Sequence, residues 1–535
     1  MSRPATHSRR NFVLTSLAAA ALAACGGGGG GGGGGPTAPD NPQLPVGPVA
    51  GPDGPAWPMF GRDARHTALS EVATQDLGRI TWSTAVDDAP VYTQTGALLT
   101  HYGSPVISPR NTVIFAVRTA GNSCRIEARS GVNGAVWWSA MSDYVLPPHN
   151  WVPSYNMALA SGGVLYAPAA GGRLMVRDSV EGVNAPAFRT VTFYGAAAYD
   201  ANPAAFNSTV FINTPLTADA HGNIYFGFQV TGPNPAGLAG GGIVRIAPDG
   251  SSRWINATAA SGDSLVTKPA MNSAPALSVN GDTVYAAFNT VPVQNAVQRG
   301  VLVALNSTTL DVRARVALSD PLNGLPARIS DNGTSSPVVG PDGRVFFGVL
   351  EAVFGTHNAR GWLLQFDSML VSAGVPGSFG WDVVPTVIPA TMVPAYSGPS
   401  SYLLAQKYNN YAGVGTGDGL NRMAVLDPRT SQLDAFSPVT VMREVITILA
   451  PTPDNNNPGG RKEWCINTMA ADPQRQSVLA NNEDGILYRW NVATNTLTQQ
   501  LRLTNGLGQA YTPTLVGTDG AVYAIGNATL FSVRT

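Results

Sequence analysis

The residue types that most often carry out chemistry are few and widely scattered in this 535-residue sequence. None of the six histidines is spaced from another as metal ligands usually are, and the sequence contains no Gly-x-Ser-x-Gly elbow or phosphate-binding loop. The three cysteines are not adjacent and do not form Cys-x-x-Cys-His, so a covalent haem within this chain is excluded. A hydrolase, a nucleotide enzyme or a metal site of ordinary spacing is therefore not expected. The residues concerned are His7, His66, His101, His149, His221, His357, Cys25, Cys124 and Cys465.

The aspartates that recur along the chain are predicted to stabilise turns rather than to bind calcium or to catalyse. Each follows or precedes an apolar run, where an Asp side chain commonly accepts hydrogen bonds from its own turn. These residues are Asp342, Asp367, Asp427, Asp484 and Asp519. The segment Asp454–Gly460 is rich in oxygen ligands, but it lacks the acidic residues of a calcium loop, which favours a solvated loop.

A repeated pattern of short strands supplies the framework for these residues, and its clearest copy is residues 511–533. Apolar runs at 513–516, 521–525 and 529–533 are separated by Asp-Gly and Gly-Asn, which are typical of tight turns between strands. Because three strands cannot bury a face alone, the pattern is expected to recur. Further copies begin at Ser104, Asn156, Thr214, Ala274, Ser336, Gly398 and Thr468.

The repeat length indicates a β-propeller. A period of roughly 45–70 residues fits a four-stranded blade with variable loops, and there are about eight copies. The last copy stops after its third strand, whereas residues 79–86 read as a fourth strand that lacks the first three. Joining these two ends would close the ring and remove an exposed sheet edge. The sequence therefore predicts an all-β, single eight-bladed propeller, with seven blades as the alternative.

The composition excludes one large class of partner. The net charge is −1 and 12% of the residues are charged, so the chain has no basic field that would hold nucleic acid.

The entry sequence of the globular part, Trp57-Pro-Met-Phe-Gly-Arg-Asp-Ala-Arg-His-Thr67, resembles the start of pyrroloquinoline-quinone-like β-propeller repeat proteins. The Trp-bearing blade end at Trp137-Trp138 and the Pro-Asp-Gly-x-Val-Tyr/Phe turns are similar to the same family. The resemblance covers residues 57–535. It implies the propeller fold, but the family includes both quinone-dependent dehydrogenases and cofactor-free scaffolds, so it does not determine function.

The alcohol dehydrogenases of that family have a quinone at the ring axis, a calcium ion held by carboxylates and amides, a catalytic Asp, a Trp below the quinone and a disulfide between adjacent cysteines. The resemblance would imply the same features in this chain. This chain lacks the adjacent cysteines, and no particular ligand set or catalytic residue can be assigned. Pyrroloquinoline quinone with calcium is therefore a possible cofactor rather than an expected one. Cys124 and Cys465 fall in the first and seventh blades, which predicts two separate buried thiols.

Residues 143–155 interrupt the repeat between the first two blades, and loops between blades often carry function. His149, Trp151 and Tyr155 in this segment are candidate ligand-binding residues at the channel mouth. The alternative, which the large aromatic side chains favour, is that Trp151 and Tyr155 wedge between neighbouring blades.

Residues 1–25 read as a bacterial export signal. Arg9 and Arg10 precede a short apolar run that begins at Phe12, and Ser8–Val13 resembles the twin-arginine motif, although the general secretory route is equally compatible. The run ends at Leu22-Ala-Ala-Cys25, which resembles a lipobox and predicts lipidation of Cys25. No Asp follows Cys25, and under the lipoprotein sorting rule this resembles a signal for the outer rather than the inner membrane.

Residues 26–55 begin with ten glycines and continue with a proline-rich stretch, which predicts a flexible tether. The predicted organisation is thus a signal peptide with a lipobox (1–25), a tether (26–55) and a propeller (56–535). The leading functional hypothesis is a lipid-anchored propeller of the cell envelope, facing the periplasm or the cell surface, that binds a protein or a small molecule without catalysis. The alternative is a quinone-dependent alcohol or sugar dehydrogenase with calcium at the axis.

Overall fold

The structure, a computed structural model, describes residues 56–535 except 94, 95, 97, 121, 122, 291–298, 467 and 506–512. The predicted export signal with Arg9, Arg10 and Phe12, the lipidation site Cys25 and the tether lie outside the described residues. Within them, the strands form eight antiparallel sheets that follow one another along the chain. In the described residues, no helix is both long and apolar enough to cross a membrane.

The first strand, β1 (Arg79–Ala85), belongs to the last sheet, and the first four blades follow it. Blade 1 consists of β2 (Val106–Ile107), β3 (Thr112–Arg118), β4 (Cys124–Ser130) and β5 (Val136–Ser142). Blade 2 consists of β6 (Ala158–Ala160), β7 (Val164–Pro168), β8 (Leu174–Arg177) and β9 (Arg189–Val191). Blade 3 consists of β10 (Val210–Ile212), β11 (Thr217–Ala218), β12 (Ile224–Val230), β13 (Gly241–Ile246) and β14 (Ser252–Asn256). Blade 4 consists of β15 (Lys268–Pro269), β16 (Ala276–Leu277), β17 (Thr283–Asn289), β18 (Gly300–Asn306) and β19 (Val312–Ala317).

The remaining four blades complete the ring. Blade 5 consists of β20 (Val338–Val339), β21 (Val345–Val349) and β22 (Trp362–Phe366). Blade 6 consists of β23 (Thr386–Pro389), β24 (Tyr402–Tyr408), β25 (Arg422–Leu433) and β26 (Thr440–Leu449). Blade 7 consists of β27 (Ala470–Asp472), β28 (Ser477–Asn481), β29 (Ile486–Asn491) and β30 (Thr496–Arg502). Blade 8 consists of β31 (Leu515–Val516), β32 (Val522–Gly526), β33 (Thr529–Arg534) and β1.

The predicted ring closure is confirmed, and so is the eight-bladed count. Strand β1 pairs antiparallel with β33, from Arg79 opposite Arg534 to Ala85 opposite Thr529. The N-terminal strand is thus the outermost strand of a blade whose other strands come from the C-terminus. The alternative of seven blades is wrong.

Short turns set the strand boundaries as the sequence indicates. Asn527 and Ala528 have φ values of 46° and 63° between β32 and β33, which is the left-handed backbone of a two-residue hairpin turn. The recurring aspartates cap turns, as predicted: Asp519 accepts the N–H of Ala521, and Asp367 accepts the N–H groups of Met369 and Val371.

The two ends of the propeller differ. At the end called here the turn face, hairpin turns connect the first strand to the second and the third to the fourth. At the opposite end, called the loop face, longer segments connect successive blades. These segments contain α1 (Ala196–Ala201) and α2 (Pro203–Thr209) between blades 2 and 3, and α3 (Ala257–Ser261) after β14. Single 3-10 turns occur at Ser161–Gly163, Ala170–Gly172 and Ala390–Met392.

Two sequence expectations about individual blades were wrong in position. The inner strand of blade 6 is β23 after Pro385, whereas Gly398-Pro399 lies in the long connection before β24. The sequence pattern also predicts a fourth strand that contains Trp381, like the one at Trp137-Trp138, but Trp381 lies just before β23. The outer segment of blade 5 contacts β22 through two isolated bridges, Leu363 with Gly377 and Phe366 with Ser372. Neither segment has the Asp-Gly or Gly-Asn turn that marks the regular repeats.

Residues 57–77, called here the axial strap, line the centre of the ring at the turn face. Backbone hydrogen bonds join the strap to the inner strands or first turns of blades 1, 2, 4, 5, 6, 7 and 8; the blade residues are Ile107, Leu159, Leu277, Val339, Val387, Ala471 and Gly520. Trp57 and Phe60 of the strap are buried. The strap therefore closes the turn-face end of the channel and ties seven blades together.

Aliphatic and aromatic side chains fill the spaces between blades. Cys124 and Cys465 are both buried and are not joined in a disulfide, as the sequence predicted. Burial raises the pKa of the Cys124 thiol to about 12, so this residue is an inert apolar group at neutral pH.

Candidate functional site at the ring axis

A ring of buried polar side chains surrounds the axis where each inner strand begins at the loop face. One polar residue precedes or opens the inner strand in most blades, and each is at most 4% exposed. They are Ser104, Asn156, Asn213, Asn272, Thr334, Asp382 and Thr468. Because most blades contribute such a residue within a few positions of the start of the inner strand, the repeat itself assembles this ring.

These side chains form hydrogen bonds mainly with neighbouring blades. The Asn156 Oδ1 atom accepts the N–H of Ser104 at 2.7 Å, and Asn272 Oδ1 accepts the N–H of Ser154 at 2.9 Å. Thr386 and Thr468 hydroxyls lie 3.0 Å apart. Their first role is therefore structural, since each bond joins the start of one inner strand to another part of the ring.

One buried ion pair belongs to this ring. Asp382 Oδ1 accepts the Thr334 N–H at 2.8 Å and the Thr334 hydroxyl at 2.5 Å, while Oδ2 lies 3.3 Å from Lys407 Nζ. Asp382 has a φ of 52°, a left-handed conformation that Asp tolerates better than most residues. The carboxylate is held in place from two sides, and the Lys407 ammonium is its charge partner.

A second ion pair lies on the blade 4 side of the axis. Lys268 Nζ donates to Asp331 Oδ1 at 2.6 Å and to Asn289 Oδ1 at 2.9 Å. Asn289 in turn donates to Asp331 Oδ1 at 2.9 Å. The three side chains therefore satisfy one another, which leaves little capacity for an added ligand.

His101 and Trp151 stack next to the first ion pair, with ring centroids 5.3 Å apart. Burial lowers the pKa of His101 to about 4, although the nearby Asp382 carboxylate opposes this shift. His101 is therefore neutral at physiological pH. Trp151, which is partly exposed, covers it from the solvent side.

A small cavity of about 10 Å³ lies inside the channel. Phe60 of the axial strap and Tyr102 contribute rings, and the polar lining is neutral: Ser104, Ser154, Asn156, Asn272 and Thr334, together with Pro513. A volume of this size has room for about one water molecule, so the cavity is too small for an organic ligand.

The lining does not fit a calcium–quinone pair. The resemblance implies a quinone at the ring axis and a calcium ion held by carboxylates and amides, but the described cavity has amides without a carboxylate and room for about one water molecule. Among the described residues, no three His, Cys, Asp or Glu side chains are grouped as metal ligands. Asp382, the nearest carboxylate in the ring, already pairs with Lys407 and Thr334.

The structure separates the three candidate ligand-binding residues of the sequence. Trp151 reaches the axis and stacks on His101. His149 bonds locally through Nδ1 to the Pro147 carbonyl at 2.7 Å, and burial lowers its pKa. The Tyr155 hydroxyl donates to the Pro168 carbonyl of blade 2 at 2.7 Å and lies 3.2 Å from the Ser142 hydroxyl of blade 1, so this side chain joins blades 1 and 2. Ligand binding by these residues stays a prediction.

Sequence reasoning missed His101, Asp382 and Lys407 as neighbours at the axis. A usable signal existed, because a polar residue precedes many of the inner strands, as in Asn272 before Pro275 and Thr334 before Pro337. Lys407 carries no such signal, since it lies near the end of a second strand in a run that is mostly apolar.

The sequence matches no family model and no curated protein. The fold defines the class: this is an eight-bladed β-propeller built from four-stranded blades. The chain is similar in structure to a quinohemoprotein alcohol dehydrogenase from Comamonas testosteroni, with 12% identity, a TM-score of 0.53, and coverage of 89% of this chain and 80% of that one.

Two other solved structures are similar to a comparable degree. A europium-containing methanol dehydrogenase has 10% identity and a TM-score of 0.51 over 88% of this chain and 89% of its own. The quinohemoprotein alcohol dehydrogenase ADHIIG from Pseudomonas putida HK5 has 11% identity and a TM-score of 0.50 over 90% of this chain and 80% of its own. At such identities the likeness establishes the propeller fold, and function has to be argued from the site.

Proposed function

We propose that the protein is a non-catalytic scaffold of the bacterial cell envelope that binds a protein or a small molecule through its loop face. The observation that carries this proposal is the state of the axial groups. The charged side chains there form the ion pairs Asp382–Lys407 and Lys268–Asp331, and the amides of Asn156 and Asn272 accept backbone N–H groups. The axis thus serves to hold the ring together, and binding falls to the surface.

The competing function is a quinone-dependent dehydrogenase. It is considered because the similar solved structures are a methanol dehydrogenase and a quinohemoprotein alcohol dehydrogenase. The test is calorimetric titration of residues 56–535 with pyrroloquinoline quinone and calcium, together with dye-linked oxidation of alcohols and sugars. If the folded protein does not bind the quinone stoichiometrically, the result supports the scaffold function. Tight binding with turnover would overturn the proposal.

The loop face can be compared directly with the turn face. Tyr92 and Val145 are exposed on loop-face segments, and Val132 and Val279 are similarly exposed on turns of the opposite face. A photo-crosslinking residue placed at each position in living cells should give a discrete adduct from the loop-face positions. Adducts from the turn-face positions alone would contradict the proposal.

The proposed anchor is the lipidated Cys25, which would retain the propeller at a membrane, because acyl chains contribute about 0.8 kcal/mol per buried methylene. The predicted outer-membrane location belongs to the same proposal. A Cys25→Ser variant should no longer be recovered with the outer-membrane fraction as a processed lipoprotein. Unchanged processing and fractionation would remove the anchor from the proposal.

A further inference from the structure

The outermost strand of blade 1, β5, has a strand partner on one side only. Within the described part of the chain it pairs with β4 and with no other strand. No backbone hydrogen bond joins residues 137–141 to any other described segment. The side of β5 that faces away from β4 therefore presents a row of unpaired backbone N–H and C=O groups, which is the feature that lets a sheet edge accept an added strand.

The composition of β5 differs from that of the other regular outermost strands. Proteins commonly place charged residues on edge strands, where they oppose pairing with another chain. Each of the other six regular outermost strands has such a residue: Arg79 in β1, Arg189 in β9, Arg253 in β14, Arg313 and Arg315 in β19, Arg443 and Glu444 in β26, and Arg502 in β30. In contrast, β5 reads Val-Trp-Trp-Ser-Ala-Met-Ser, without charge, proline or glycine. Short segments of this kind pair readily with added strands.

Blade 5 offers no equivalent edge. Its outer segment is also uncharged, but it is irregular and contains Pro376, which cannot donate to a strand ladder. The Pro376 carbonyl already accepts the N–H of Met442 from blade 6 at 2.7 Å. The edge of β5 is therefore the one that the described residues leave both regular and uncharged.

The side chains of β5 are anchored on one face and exposed on the other. Trp138 is buried, and its Nε1 donates to the Val180 carbonyl of blade 2 at 2.9 Å. Val136 and Met141 are 51% and 62% exposed, whereas Ile80, at 36%, is the only other large apolar residue of the regular outermost strands that is exposed in the described chain. The strand is thus held in place by its own blade while apolar side chains face solvent beside its unpaired edge.

The charged residues next to β5 neutralise one another. Arg125 and Arg129 lie on β4 directly opposite the two exposed apolar residues. Both donate to Glu127 at 2.8 Å, and Arg125 also pairs with Asp88. A charged side chain brought to this edge would lose hydration without gaining an ion pair, so the complement of the edge is an uncharged segment.

The length of the edge decides between two kinds of occupant. Seven residues at about 3.3 Å each give an edge of about 23 Å. A second folded copy that touched this edge alone would bury on the order of a few hundred Å², well below the roughly 800 Å² per partner of a stable interface. An extended segment does not need a second matched surface, because main-chain hydrogen bonds along the edge supply its affinity.

We propose that the unpaired edge of β5 is a docking site for an extended, uncharged segment of a partner protein, which adds a fifth strand to blade 1. The main chain of the segment pairs with β5, and its alternate apolar side chains contact Val136 and Met141. The site lies on the rim of the ring, apart from the loop face, so it does not depend on binding at that face.

Hydrogen exchange with a selected peptide tests the site. A random linear-peptide phage library is selected on the full-length protein, and the most enriched peptides are synthesised as probes. A probe at saturation should slow exchange of amides in residues 136–142 about tenfold or more, since paired amides exchange only on opening. Amides of β30 should not change. If no peptide is enriched, or if the enriched peptides leave residues 136–142 unprotected, the proposal is overturned.

Charged variants identify the edge as the cause of binding. Ser139→Lys combined with Met141→Lys changes two exposed positions of β5 and should weaken peptide binding about tenfold or more, because lysines on an edge oppose pairing. Met141→Val keeps an apolar strand former and should bind as the wild type does. The matched control, Thr498→Lys combined with Gln500→Lys, changes two exposed positions of β30 and should bind normally. Equal binding by the two double-lysine variants would contradict docking at β5.

Discussion

Thr84 lies directly opposite Leu530 in the sheet that closes the ring. The two residues come from the two ends of the described chain, and Leu530 is fully buried. In the other seven blades, all strands come from one continuous stretch of sequence. The pairing of β1 with β33 therefore differs from every other outermost pairing, because its loss opens the ring.

This difference predicts unequal effects of proline in two outermost strands. Thr84→Pro should destabilise the protein by about 1–3 kcal/mol, since proline removes a hydrogen bond of the strand ladder and here it also weakens ring closure. Gln500→Pro in β30 should cost less, because blade 7 remains joined to both neighbours. Denaturant unfolding of both variants measures the difference, and equal losses would show that closure adds nothing.

The regular blades could be predicted from the sequence because their signals are local. The Thr518-Asp519-Gly520 turn and the apolar runs around it gave strands within two residues of β31, β32 and β33. The inner strand of blade 6 was misplaced, because Gly398-Pro399 imitates the start of a repeat, whereas β23 follows Pro385.

The axial strap and the site could be predicted much less well. The strap bonds to each of seven blades through one or two residues, so it has neither strand nor helix periodicity, and residues such as Ala68 and Ser70 carry no sign of their partner Ala471. Asp382 and Lys407 both come from blade 6, whereas His101 precedes blade 1. The closed ring is what brings His101 to this ion pair.

Replacing only one partner of the Asp382–Lys407 ion pair is expected to lower the stability of the protein strongly. Lys407→Met should cost about 3–5 kcal/mol, because it leaves a buried carboxylate without its charge partner. Adding Asp382→Asn should recover part of this loss, since Asn tolerates the left-handed backbone and can still bond to Thr334. A double-mutant cycle in denaturant measures the coupling. Additive losses would mean that the two charges do not stabilise each other.

Because both cysteine thiols are buried, they are expected to react slowly with thiol reagents in the folded protein. In residues 56–535, Cys124 and Cys465 should not react with a thiol reagent while the protein is folded, because both are buried and burial raises the pKa of Cys124 to about 12. Both should react at once in concentrated guanidinium chloride. Rapid labelling of the native protein, or the absence of free thiols after unfolding without reductant, would contradict the structure.

Two neutral histidines at the axis predict a loss of stability in mild acid. Burial lowers the pKa of His66 and of His101 from 6.5 to about 4. Between these values the unfolded chain binds more protons than the folded one, so the free energy of unfolding falls as the pH decreases from about 6.5 to about 4. Each histidine contributes a loss of up to about 3 kcal/mol over that range.

Urea unfolding at about pH 7.5 and about pH 4.5 measures this dependence. His66→Gln should reduce the difference by the share of one histidine, because glutamine keeps a donor for the Pro337 carbonyl that His66 Nδ1 contacts at 2.7 Å. His221→Gln, at an exposed turn, should leave the difference unchanged. A wild-type stability that is constant across this range would show that the axial histidines accept protons without disturbing the strap.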